Sequence, residues 1–121
     1  MNLFEYQGKR LYKDFSIPTP KSIFISNISE INENHELNYP LVVKAQVQVG
    51  GRGKAGGIKV ANSFEELVKF SNEILGMDIK GHLVESLLIE EASTILEEYY
   101  ISFTLDRSEK EYLMMLSAKG G

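Results

Sequence analysis

A glycine cluster constrains this chain more than any other feature. Half of its ten glycines, Gly50, Gly51, Gly53, Gly56 and Gly57, fall within eight positions. On either side lie β-branched runs, Leu41 to Val49, bounded in front by Pro40, and Ile58 to Ala61. Such runs read as strands, and glycine frees the backbone between them. The spelling Gly51-Arg52-Gly53-Lys54-Ala55-Gly56 matches G-x-G-x-x-G, but a dinucleotide site needs a helix directly after the loop. Here a β-type run follows, and Glu73, the acid at about the right distance, reads as helical. A Walker loop needs glycine at 48 and Ser or Thr at 55; Gln48 and Ala55 stand there. What survives is a flexible hairpin that can fold over polyphosphate. Its backbone amides approach anionic oxygens as a nest, and Arg52 and Lys54 add charge-assisted contacts.

Charge supports an anionic ligand at this place. The chain is acidic overall, with 13 Lys and Arg against 17 Asp and Glu. Yet from Leu41 to Phe64 there are four cations (Lys44, Arg52, Lys54 and Lys59) and no acid. From Gly81 to Asp106 the bias reverses, with Glu85, Glu90, Glu91, Glu97, Glu98 and Asp106 and no cation. A basic segment inside an acidic protein points to a local ligand, solvated faces being the plainer alternative. Lys44 sits among Val42, Val43, Ala45 and Val47. A lysine buried in an apolar strand needs a partner, and phosphate is one. The alternative is a lysine facing solvent from the polar side of an alternating strand.

With 121 residues, 43% hydrophobic and 25% charged, the chain has ordinary globular values for one domain or one piece of a larger protein. Intrinsic disorder of the bulk is excluded. The absence of cysteine excludes disulfides, thiolate metal sites and a cysteine nucleophile. No apolar run is long enough to span a membrane, and the first six residues lack signal-peptide order. A reducing, cytoplasmic location is the expectation.

The remaining elements follow from periodicity. Asn2 to Phe15 reads as an amphipathic helix with Leu3, Tyr6, Leu11, Tyr12 and Phe15 on one stripe and Asn2 as its cap. Ile17-Pro18-Thr19-Pro20 forces extended backbone. Ser22 to Ser26 reads as a short strand, and Ile28 to Leu37 as a poor surface helix ended by Asn38-Tyr39-Pro40. Ser63 caps a second helix, Glu66 completes its capping box, and Phe64, Leu67, Val68, Ile74 and Leu75 form its buried stripe. His82 to Glu91, Tyr99 to Asp106 and Glu111 to Ser117 read as strands, the last two joined by a polar hairpin loop. The class is α+β. The final run leads into Lys119-Gly120-Gly121 without a closing element, which reads as the front of something longer.

Adenine and ribose need an apolar slot and a carboxylate. Leu87 to Ser93 supplies an apolar strand with a polar end, and Glu97-Glu98 precede Tyr99-Tyr100; either acidic pair also reads as a solvated edge. His35 and His82 are isolated in expected loops and receive no role, and nothing has metal-ligand spacing.

Four blocks carry a resemblance: Met-Asn-Leu-x-Glu-Tyr-Gln at the start, Val43 to Val47 continuing through the glycines to Gly57, Ile89 to Ala92, and Leu105 to Ser108. Together, in order along the chain, they resemble the β subunit of succinyl-CoA synthetase. The resemblance implies an ATP-grasp fold, of which residues 1 to 121 are the N-terminal portion. It implies that Lys44 contacts nucleotide phosphate, that Gly51, Arg52 and Gly53 belong to the covering loop, that Glu90 lies at the base-binding hinge with Ser93 close by, and that Glu98 takes the ribose hydroxyls. The implied enzyme uses ATP or GTP, succinate and CoA, with a phosphohistidine on a partner α subunit carrying the phosphoryl group. Magnesium ligands, the second lobe and the subunit-contacting domain follow later in the family, so this segment alone is expected to be inactive. Gln48, Ser93 and Lys119 depart from the residues common in relatives (His, Thr and Glu), and the stretch from Gly76 to Leu87 is shorter than in many.

Two other readings stand beside it. One is a related acid–CoA ligase such as one using malate, whose acid-recognising residues are not in this segment. The other is a non-catalytic module, either a structural fragment or a nucleic-acid binder using Arg52-Gly53-Lys54. The short basic patch, without interleaved aromatics, weighs against nucleic acid.

Overall fold

In the computed structural model, residues 2 to 120 are described. A four-stranded antiparallel sheet organises them, in the order β1 (Ser22–Ile25), β6 (Leu87–Glu91), β2 (Leu41–Ala45), β3 (Ile58–Ala61). Two helices, α1 (Glu5–Asp14) and α2 (Phe64–Ile74), accompany it. Two separate hairpins complete the chain, β4 (Asp78–Ile79) with β5 (His82–Leu83), and β7 (Tyr100–Asp106) with β8 (Glu111–Ser117). The architecture is the α+β arrangement expected.

Register divides the sheet into an apolar face and a mixed one. Val43 lies opposite Ile89, and Ala45 opposite Leu87, which itself faces Ile25 on the far side. These side chains are buried and form the core with Leu41, Ala61, Ile79, Val84 and, from α2, Leu67 and Ile74. On the other face Lys44 lies opposite Leu88, while Glu90 lies between Val42 and Ser22. Strand alternation thus sends Lys44 and Glu90 to one side of the sheet, and α1 sits there.

The second helix matches its sequence reading in extent. Ser63 Oγ accepts from the Glu66 amide at 3.2 Å. The Glu66 carboxylate reaches past the cap to accept from the Asn62 amide at 2.7 Å, one residue earlier than a capping box requires. Ser63→Ala is expected to cost about 1 kcal/mol, read as a lower unfolding midpoint in urea at constant slope.

Several expectations are corrected. Helix α1 is capped at Phe4, whose amide donates to Gln7 Oε1 at 2.9 Å, and not at Asn2. Its apolar stripe is not buried: Leu3, Leu11, Tyr12 and Phe15 are exposed, Phe15 by 78%. Tyr6 instead packs its ring on Phe24, at 4.2 Å between centroids. The helix expected over Ile28 to Leu37 is one 3-10 turn at Ile28–Glu30. Asn27, Asn32 and His35 side chains each accept a nearby backbone amide, and such local bonds compete with helix.

Strand β2 stops at Ala45 instead of Val49; there the Arg52 side chain takes the Ala45 carbonyl through Nη1, and Gln46 Oε1 accepts from the Tyr6 amide. The strand expected from His82 begins at Leu87. Before it, Lys80 and Gly81 both have positive φ (52° and 83°) and turn a small hairpin that places His82 on β5. A lysine in that first left-handed position gave no sequence signal.

The β7–β8 hairpin stands apart. Ile101, Phe103, Leu105, Tyr112, Leu113, Met114 and Leu116 are exposed on its two faces.

Candidate functional site

The sheet's mixed face carries a five-membered charge cluster built from four elements. Lys44 comes from β2, Glu90 from β6, Glu5 and Lys9 from α1, and Arg52 from the glycine-rich turn. Lys44 Nζ donates to Glu5 Oε1 at 3.0 Å and also to Glu90 Oε1. Lys9 Nζ pairs with Glu90 Oε2 and lies 3.2 Å from Glu5 Oε1. Arg52 Nη2 pairs with Glu5 Oε2, while its Nη1 holds the Ala45 carbonyl at 3.0 Å.

Burial alone would raise the Glu5 pKa, but the nearby Lys44 and Arg52 cations outweigh it and lower the pKa to about 2. Glu5 is therefore a carboxylate throughout the physiological range. Three cations face two acids, which leaves the cluster one positive charge in surplus.

Lys44 is neither solvent-facing nor buried alone. Its side chain is 17% exposed and lies between two carboxylates. The sequence marked the need for a partner but not which one.

Beside the cluster the glycine-rich turn folds on itself. The Ala55, Gly56 and Gly57 amides donate to the carbonyls of Gly51, Gly53 and Arg52. The amides of Gly51, Arg52, Gly53 and Lys54 meet no acceptor among the described residues. They form the stretch best suited to receive an anion. Gly51 has φ +79°, a conformation that side-chain-bearing residues rarely adopt. From outside, Lys80 Nζ donates to the Gly50 carbonyl at 2.8 Å.

The expected site residues thus divide. Lys44, Arg52 and Glu90 meet in one cluster, next to the turn that holds Gly51 and Gly53. Ser93 and Glu98 lie past the end of β6 and line an open depression of about 670 Å3 with Leu96 and Tyr99. The Glu98 carbonyl accepts from the Gly120 amide at 3.2 Å. Glu73, rejected as a ribose acid, lies within α2 and pairs with Lys59.

Sequence reasoning missed Glu5 and Lys9 as members of the cluster. Their signal was present: a Glu four residues before a Lys on one helix is a stabilising pair, and Glu5 lies within the resembling N-terminal block. Among the described residues no three His, Cys, Asp or Glu side chains are grouped to hold a metal ion.

The family model for the ATP-grasp domain matches residues 2–121. The chain belongs to the ATP-grasp family. Through this fold it is related to acid–CoA ligases. Among solved structures it is similar to a dinucleotide-forming acetyl-coenzyme A synthetase 1 from Ca. Korarchaeum cryptofilum, in complex with coenzyme A and Ca-AMPCP. The TM-score is 0.81 at 24% identity, over 96% of this chain and 53% of that one. An ATP citrate lyase from Methanothrix soehngenii, in complex with citrate and coenzyme A, matches at TM-score 0.75 and 27% identity, over 99% of this chain and 32% of that one. The D-alanine–D-alanine ligase of Helicobacter pylori shares the fold at TM-score 0.67 and 18% identity, over 92% of this chain and 31% of that one. This ATP-grasp domain therefore spans about half or less of the length of those chains. No helix among the described residues is long and apolar enough to cross a membrane.

Proposed function

We propose that this chain is the N-terminal, nucleotide-binding part of the β subunit of a succinate–CoA ligase. The whole enzyme would make succinyl-CoA from succinate and CoA at the expense of ATP or GTP, releasing diphosphate nucleotide and phosphate. The observation that carries the reading is the convergence of Lys44 and Arg52, from a strand and from a glycine-rich turn, on one anionic group. Two cations from separate elements, beside backbone amides without acceptors, suit phosphate oxygens better than they suit a single ion pair.

In this reading Lys44 and Arg52 bind and orient the phosphates, and the amides of residues 51 to 54 close over them. Phosphoryl transfer is largely positioning and charge neutralisation, and these residues would supply part of both. Glu90 holds Lys44 in place from the sheet. Glu90 would also lie at the base-binding hinge with Ser93 close by, and Glu98 would take the ribose hydroxyls from the depression beyond β6. Magnesium, which neutralises phosphate charge when bound, would be held by residues outside this segment, as would CoA and the partner α subunit with its phosphorylated histidine. A cytoplasmic setting belongs to the same proposal.

The rival acids are specific ones. Acetyl-coenzyme A synthetase and ATP citrate lyase resemble this chain in fold, and a malate-using ligase shares the same expected chemistry. The decisive experiment incubates the intact protein, assembled with its partner α subunit, with ATP or GTP, CoA and, separately, succinate, malate, citrate and acetate, and measures nucleotide binding and thioester formation. Nucleotide-dependent thioester with succinate above the others is the expected result. Thioester with another acid alone would reassign the substrate, and the absence of nucleotide binding would overturn the reading altogether.

A further inference from the structure

We propose that Glu5 is a resident stand-in for phosphate: its carboxylate occupies the place between Lys44 and Arg52 that a nucleotide's phosphate takes, and binding displaces it. This inference rests on the nucleotide reading above. Glu5 Oε1 accepts from Lys44 at 3.0 Å while Oε2 pairs with Arg52. One planar anion thus bridges two cations that belong to different elements, as phosphate oxygens do.

Charge bookkeeping makes coexistence unfavourable. The cluster has one surplus positive charge with Glu5 in place, and a triphosphate tail brings several negative ones. A carboxylate left beside that tail would face like charge at short range in a partly buried site. Glu5 also has a route out. It is the first residue of α1, directly after the Phe4 cap, and its side chain is 20% exposed. Lys9, one helical turn on, lies 3.2 Å from Glu5 Oε1 and gives the displaced carboxylate a cation to follow. Glu90 differs: it is 5% exposed on a central strand and stays with Lys44 and Lys9.

Glu5 therefore opposes phosphate binding and holds the two cations in register without ligand. Removing its charge while keeping its shape tightens phosphate binding. The test is calorimetric titration of the intact protein and of Glu5→Gln with inorganic tripolyphosphate, with ATP and with adenosine. Glu5→Gln is expected to bind tripolyphosphate and ATP about tenfold more tightly than wild type and adenosine equally well. A second measurement needs no variant: the Glu5 carboxyl, followed by 13C NMR, titrates at a higher pH once tripolyphosphate is bound, because Lys44 and Arg52 have left it.

ATP binding that weakens or stays the same in Glu5→Gln would overturn the stand-in and leave the nucleotide reading intact. An unmoved Glu5 titration with tripolyphosphate bound would do the same. Tighter tripolyphosphate binding with no ATP binding in either protein would retain the stand-in and remove the nucleotide reading.

Discussion

Lys44→Met is expected to weaken binding of ATP or GTP to the intact protein by about 10- to 100-fold, with adenosine affinity changed less than about twofold. The size follows from the roughly 1.5–3 kcal/mol of a hydrogen bond to a charged group and from tenfold in affinity per 1.4 kcal/mol. Methionine keeps most of the length and apolar stem of lysine and removes only the amine. Its two acids are not orphaned by the change, because Lys9 still pairs with Glu90 and Arg52 with Glu5. The fold should therefore survive, and thermal unfolding measured beside the titration checks that it does. Equal losses for triphosphate and adenosine would mean that the lysine only shapes the cluster. That outcome would leave the glycine-rich turn without its proposed partner on the sheet.

Strand, turn and helix were legible where local chemistry had no competitor. The β2–turn–β3 unit followed from β-branched runs around glycines, and α2 from its Ser63 cap and stripe. What failed did so for nameable reasons. The apolar stripe of α1 predicted a buried face, but the helix meets the sheet through Glu5, Tyr6 and Lys9, because the sheet's own mixed face offers Lys44, Glu90 and Phe24. A one-dimensional pattern ranks a helix's faces by hydrophobicity; only the strand register puts Glu90 and Lys44 on the side where α1 lies. The same limit explains Lys44, whose need for a counter-charge was readable from its apolar neighbours. The partners lie 39 and 46 residues away along the chain, and periodicity carries no information over such spans. At Ile28 to Leu37, apolar spacing lost to Asn and His side chains that satisfy the backbone locally.

The glycines of the turn separate into those the fold requires and those it leaves free, and this yields the second large effect. A Cβ on Gly57 would lie 3.1 Å from Ala45 Cβ, 3.1 Å from the Arg52 carbonyl oxygen and 2.6 Å from Ile79 Cδ1. The Ile79 methyl can shift, but Ala45 and the Arg52 backbone are held by the bonds that close the turn: Ala45 N to Gly57 O at 2.7 Å and Gly57 N to Arg52 O at 2.8 Å. Gly57→Val therefore forces the turn away from β2 in a filled core. It is expected to cost about 3 kcal/mol, from overpacking and loosened hydrogen bonds, which lowers the melting temperature by on the order of 10 °C. Gly53 is the contrast, since a Cβ there meets only Ile58 Cδ1, at an ordinary 3.6 Å. Gly53→Val should change the melting temperature by less than about 3 °C yet weaken triphosphate binding, because branched side chains crowd the amides of residues 51 to 54. Should Gly53→Val melt as early as Gly57→Val, the turn would need every glycine for its own shape, and the glycine cluster would no longer speak for a bound anion.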